Sequence, residues 1–179
     1  MLQDIFVENI VKKKKSISLK LLQVLIILTS IVLALVLLTV GLLFLSGLAG
    51  VALLLACGVV YGAYILATSF NLEYETCFTN GALDVDKIIN RRLRKRLISL
   101  KCKDIETMGR YKKVDHENKQ YKTRIIACDS EDSEDVWYLT VRHSTLGHTL
   151  VVINVTDRML EGFKAYIPRQ LAFEIFNRR

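Results

Sequence analysis

Residues 21–72 read LLQVLIILTSIVLALVLLTVGLLFLSGLAGVALLLACGVVYGAYILATSFNL, and not one of these side chains is charged. The nearest charges are Lys20 before the stretch and Glu73 after it. The hydrocarbon layer of a bilayer is about 30 Å thick and a helix rises about 1.5 Å per residue, so about 20 apolar residues cross once. As one helix the stretch would run about 78 Å, far too long for a single crossing. Two crossings joined by a tight turn fit it. The sequence predicts spans over residues 21–44 and 51–70, with a turn over 45–50 where Gly47 and Gly50 supply backbone freedom. Tyr61 and Tyr64 lie toward the far end of the second span, as interfacial aromatics do.

Orientation follows from the basic residues. Lys12, Lys13, Lys14, Lys15 and Lys20 form a basic N-terminal segment (residues 1–20), the turn carries no charge, and Arg91, Arg92, Arg94, Lys95 and Arg96 follow the second span. Because Lys and Arg concentrate on the cytoplasmic side, this pattern predicts a multi-pass protein of the plasma or inner membrane with both termini cytoplasmic. A signal peptide fits poorly, since its apolar core is only about 7–15 residues long. Leu54-Leu55-Ala56-Cys57 loosely matches a lipid-attachment box, but apolar sequence continues well beyond Cys57. Neither span contains Asp, Glu, Lys, Arg or His. Intramembrane ionisable groups mark ion paths and substrate sites, so this hairpin reads as an anchor and not as a transporter. Gly58-Val59-Val60-Tyr61-Gly62 is a GxxxG. The first expectation is that Gly58 and Gly62 pack the second span on the first. The alternative is a contact with a second copy or another membrane protein.

The polar region, residues 71–179, holds 20 basic and 16 acidic residues. Of the net +7, residues 1–20 contribute five lysines less Asp4 and Glu8. Membrane flanks account for a pI near 9.3, and no nucleic-acid partner is expected. Cys57, Cys77, Cys102 and Cys128 form no CxxC pair, and His116, His143 and His148 do not stand at zinc spacings from them. Reduced thiols, and no metal or other cofactor, are the expectation.

Hydrophobic period changes at once after the second span. Leu72, Tyr74 and Phe78 alternate with Glu73, Glu75 and Cys77, as in a half-buried strand. Asn80-Gly81 is a strong hairpin signal, and Leu83, Val85 and Ile89 begin the return. Further strands are expected near residues 95–100, 121–128, 136–142 and 150–155, rich in β-branched and aromatic side chains. Residues 85–100 also carry a helical pattern through Ile89, Leu93, Leu97 and Leu100; the hairpin turn favours strand. Thr156 is a predicted N-cap, with Met159, Leu160, Phe163, Tyr166 and Ile167 on one helical face, and Pro168 opens a second turn carrying Leu171, Ile175 and Phe176.

Strands closed by a C-terminal helix follow the order of a pleckstrin-homology-like barrel. Two apolar spans, then Tyr74-Glu75-Thr76-Cys77-Phe78-Thr79-Asn80-Gly81-Ala82-Leu83 and Ile98-Ser99-Leu100-Lys101-Cys102-Lys103-Asp104-Ile105, resemble uncharacterised bacterial two-span membrane proteins with a cytoplasmic PH-like domain. Tyr166-Ile167-Pro168-Arg169 is similar to an Ile-Pro-Lys/Arg element near the C-terminus of some of them. The resemblance covers most of the chain and implies an α+β membrane protein: an N-terminal two-helix transmembrane hairpin, then a PH-like antiparallel β-barrel or sandwich over residues 71–179, closed by a C-terminal helix. It implies no catalytic residue.

Lys87, Arg91, Arg92, Arg94, Lys95, Arg96, Lys101 and Lys103 fall in one stretch without an acid. Tethered at a membrane, they are the candidate contact for anionic lipid headgroups or an acidic partner, each worth about 1 kcal/mol near the surface. Residues 129–135 carry five acids but lack the glycine and distal glutamate of a calcium loop, so a hydrated loop is expected. His143 and His148 are the candidate bases of a membrane-anchored enzyme, although no nucleophile elbow, Walker loop or dinucleotide fingerprint occurs. The leading expectation is a membrane-anchored interaction or regulatory module without catalytic residues. The alternatives are that enzyme, or an accessory subunit docked on a larger membrane complex.

Overall fold

The computed structural model describes residues 5–44, 47 and 49–176. The chain forms two compact units, an apolar one over Lys15–Asn71 and a polar one built from Met1–Lys14 together with Leu72–Arg179. The polar domain is therefore discontinuous in sequence. Its first strand, β1 (Phe6–Lys12), precedes the apolar unit and pairs antiparallel with β2 (Leu72–Thr79), from Phe6↔Thr79 to Lys12↔Glu73. This corrects the expectation of a separate basic segment over residues 1–20 and a domain starting at residue 71. Val7 and Val11 face the core while Phe6, Glu8 and Ile10 face out. Beside a run of lysines, that short alternation is easily read as a tail.

The apolar unit is a helical hairpin of α1 (Ile17–Phe44) and α2 (Ala49–Ser69), both long and apolar enough to cross a bilayer. Ala49 and Gly50, expected in the turn, are already helical; Leu45, Ser46 and Leu48 of that turn lie outside the described residues. The seam is built of small side chains, with Ser30 and Ala34 buried on α1 and Ala56, Ala63 and Ala67 on α2. The helices approach tightly at Gly41, where a Cβ would overlap the Ala52 methyl. By contrast, a Cβ at Gly58 or Gly62 would meet nothing within 4 Å. The GxxxG does not pack α2 on α1, because the seam follows the alanines. Outward positions are leucine, isoleucine and valine, exposed almost throughout. Thr29, Thr39 and Thr68 turn their hydroxyls back onto helix carbonyls, which removes free donors from the apolar surface. At the open end, Gln23 Nε2 donates to the Ala67 carbonyl at 2.6 Å, and Lys15 Nζ donates to Gln23 and Asn71.

In the polar unit, β1, β2, β3 (Ala82–Ile89) and β4 (Leu93–Lys101) form an antiparallel meander in the order β1-β2-β3-β4. Asn80 and Gly81, at φ 46° and 82°, make the tight β2–β3 turn. Residues 85–100 are thus two strands and not a helix, with Asn90 and Arg91 turning the chain at φ 46° and 56°. A 3₁₀ turn, Cys102–Asp104, carries the chain into β5 (Ile105–Arg110), a strand the sequence pattern did not announce. The short helix α3 (Lys113–Glu117) follows, then β6 (Thr123–Ala127), β7 (Val136–His143) and β8 (Gly147–Asn154). The second sheet runs β5-β7-β8-β6, with β6 parallel to β8. Neither sheet closes into a barrel, so the expected antiparallel barrel or sandwich is a pair of open four-stranded sheets, one of them mixed. The chain changes sheets at the 3₁₀ turn instead of carrying the ladder from β4 into β5.

One core joins the sheets through Phe78, Leu83 and Val85 on one side and Leu139, Val151 and Ile153 on the other. Helix α4 (Asp157–Tyr166) plugs it with Met159 and Phe163. Thr156 caps α4 by accepting from the Met159 amide at 3.4 Å. Phe163 meets Phe78 edge-on with centroids 5.2 Å apart. Gly162 permits that approach, because a Cβ there would lie 2.7 Å from Phe78 Cε1. After Pro168, α5 (Arg169–Phe176) buries Leu171.

Candidate interaction surfaces

The β3–β4 hairpin divides the eight candidate basic residues. Arg91 and Arg92 sit at its turn, whereas Lys101 and Lys103 lie at the far end of β4, roughly 26 Å away along eight strand residues. They stand at opposite ends of the hairpin and do not form one compact cluster. Between them, arginines of β4 answer acids of β2 and β3. Glu75 stands directly opposite Asp86, each only 6–7% exposed. Arg94 pairs with Glu75, and Arg96 reaches Asp86 at 3.0 Å and Asp84 at 3.3 Å. The hydrogen bond to Asp86, then the charge of Asp84, raises the Arg96 pKa further. Arg91 pairs with Glu73 at 3.4 Å. Lys87 stands opposite Lys95, with no acid at ion-pair distance from either among the described residues.

Strand register fixes which end of the domain this turn occupies. Lys12 pairs with Glu73, Glu73 with Ile88, and Ile88 with Arg94. The end of β1, from which the chain leaves for α1, the start of β2, to which it returns, and the β3–β4 turn are therefore at one end of the sheet. Exposed apolar groups gather there, Ile10 at 50% and Leu93 at 59%. With Ile88, Arg91, Arg92 and Arg94 they line a hollow of 420 Å³.

Of the other flanking lysines, Lys14 is tied down. Its Nζ lies 2.9 Å from Asp129 and its amide donates to the Asp129 carbonyl. Burial pushes the Asp129 carboxyl up, but hydrogen bonds from Lys14, Asn154 and Ser133 outweigh it and hold the pKa at about 2. The acidic loop is thus anchored at its first residue. Lys13 donates its amide to the Leu72 carbonyl at 3.0 Å, and Lys20 lies in the first turn of α1.

A family model described as a bacterial PH-like domain (DUF6106) matches residues 3–173. The chain belongs to this family of bacterial PH-like domains. The match runs through β1, both apolar helices and α4 and into α5, so in this PH-like chain the hairpin is an insertion between the first two strands. No curated protein and no solved structure matches the chain.

Elsewhere in the PH-like domain, the two candidate histidines do not converge. Arg142 pairs with His148 and His143 with Gly147 across the β7–β8 hairpin, so the two imidazoles project from opposite faces. His143 Nδ1 accepts from Thr145, while His148 faces Glu106 at 3.7 Å. Cys102 and Cys128 are buried, which pushes their thiols up to about 12 and about 11. Such thiols stay protonated and unreactive at neutral pH.

The sequence pattern gave no sign of the His116 cluster. This imidazole is 1% exposed, stacks on Tyr111, contacts Tyr138 with centroids 4.2 Å apart, and hydrogen-bonds Tyr121 Oη at 2.8 Å. Burial, then Lys119, lowers its pKa, which favours the neutral ring. Arg124 donates to the carbonyls of His116 and Lys119, so the cluster pins the connection between β5 and β6. Its tyrosines come from three separate segments.

Proposed function

We propose that the chain is a membrane-anchored interaction module whose hairpin crosses the bilayer twice and whose polar domain faces the cytoplasm with its β3–β4 turn against anionic headgroups. The supporting observation is the register, which puts that turn at the sheet end where the chain passes to and from the apolar helices. The lysines at 12–15 and 20, and the arginines of the turn, agree with the cytoplasmic bias of basic residues. Arg92, Lys87 and Lys95 supply charge, and Leu93 and Ile10 supply apolar contact. Arg91 keeps a left-handed backbone where glycine would be less strained, which sets a cation at the tip. Lys101 and Lys103 lie at the other end and take no part.

The test uses the full chain, because residues 71–179 alone lack β1. In nanodiscs, amides of the β3–β4 turn should exchange more slowly with anionic than with zwitterionic lipid, and high salt should remove the difference. Equal exchange in both lipids contradicts the lipid contact. A second reading rests on Gly58 and Gly62, whose clear face suits another membrane helix, from a second copy or from a complex to which the chain is a subunit. Recovery of a stoichiometric partner or a dimer in mild detergent supports it, and recovery of a monomer alone counts against it.

A further inference from the structure

At the end of the domain opposite the membrane linkers lies a polar groove of 440 Å³. It is lined by three consecutive residues of β4, Ser99 to Lys101, and by Val141, Arg142, His143 and Ser144 of β7 and its turn. A hollow on the face of a sheet touches alternate residues, because side chains alternate in direction. Lining by consecutive residues marks the edges of strands. Among the described residues, both edges are unpaired here. β4 ends its sheet, and β5 joins β7 only from Val141, so Arg142 and His143 are paired on the β8 side alone.

The charge of the groove is basic where it is not already satisfied. Lys101 and Lys103 face it against one acid, Asp104, while Arg142 is held by Glu106 at 2.8 Å. His143 Nδ1 accepts from the amides of Thr145 and Leu146, at 3.3 and 3.4 Å, which places the ring proton on Nε2 as a donor. A second hollow of 240 Å³ continues from Lys101 and Lys103 toward the Asn80–Gly81 turn and Tyr166.

We infer that this groove binds an extended acidic segment of a protein partner, laid as an added strand between the edges of β4 and β7, with its carboxylates toward Lys101, Lys103 and His143. Free strand edges offer amide donors and carbonyl acceptors in alternation. A peptide backbone answers both, whereas a phosphate answers only the donors. This inference concerns the opposite end of the domain from the lipid contact and stands or falls separately.

The probe is a fluorescent octapeptide alternating glutamate and threonine, titrated by anisotropy against the full chain in zwitterionic nanodiscs. Saturable binding is expected, weakened about tenfold by Lys101→Glu with Lys103→Glu and less by the glutamine pair. Both lysines are exposed, so these variants keep the fold. Methylating alternate amides of the peptide should weaken binding about as much, while Lys113→Glu in α3, an exposed lysine beyond the far end of β5, should leave it unchanged. Absence of saturable binding, indifference to backbone methylation, or displacement by inorganic phosphate at matched charge each overturns the proposal.

Discussion

Glu75 and Asp86 face each other directly across β2 and β3, two nearly buried carboxylates on the outer side of the sheet. They are tolerable because Arg94 and Arg96 fold over them from β4. Much of the basic stretch is therefore structural charge compensation. Arg94→Ala should cost about 1–3 kcal/mol in chemical denaturation, because it strands a poorly solvated carboxylate. In a Glu75→Gln background the same substitution should cost much less. Equal costs in both backgrounds would show that the pair does not act as one.

The hairpin seam gives a paired prediction. Gly41→Val should separate α1 from α2 and lower the thermal stability of the apolar unit in detergent, since even a Cβ there overlaps Ala52. Gly58→Leu should leave that stability unchanged, because its surroundings are open. Any loss of self-association or partner recovery in Gly58→Leu then reports an intermolecular contact.

Discontinuity of the polar domain predicts what can be expressed alone. Residues 72–176 leave the edge of β2 bare and uncover the core beside Val7 and Val11, so this fragment should aggregate. Lys13 N lies 3.0 Å from the Leu72 carbonyl. Joining residues 5–14 to 72–176 through a few glycines and serines should therefore yield a monomeric fold with a cooperative melt.

Asp129 makes stability depend on pH. Its carboxyl is held at about 2 against an ordinary 3.8, so its contribution is full above about pH 4 and lost as pH falls toward about 2. Asp129→Asn should flatten the stability curve in that window. His116, lowered from 6.5, acts earlier: its burial as a neutral ring favours the fold above its ordinary pKa and opposes it as pH falls below 6.5. His116→Phe should remove that slope.

Strongly periodic elements were legible in the sequence. The uncharged run gave both helices, Asn80-Gly81 gave the first hairpin, and Thr156 and Pro168 bounded the C-terminal helices. What escaped depends on partners distant in sequence. β1 is recognisable only once Leu72 returns beside it, and the β6–β8 pair is parallel because β6 joins β8 from across the sheet. The candidate site was half legible: residue types showed the basic stretch, but only register could separate Arg92 from Lys103. The open seam around Lys101 and His143 left no mark on composition, because a free strand edge is a property of pairing.

The most direct test of the proposed contact between the β3–β4 turn and the bilayer compares the two ends of β4 in one molecule. A nitroxide at Leu93→Cys and another at Lys103→Cys, each in the full chain with Cys57 and Cys77 replaced, can be read by power saturation in anionic vesicles. The label at 93 should collide with lipid-soluble oxygen and be shielded from a water-soluble nickel chelate, and the label at 103 should behave as fully aqueous. Equal aqueous accessibility at both positions would contradict the placement of the β3–β4 turn at the bilayer.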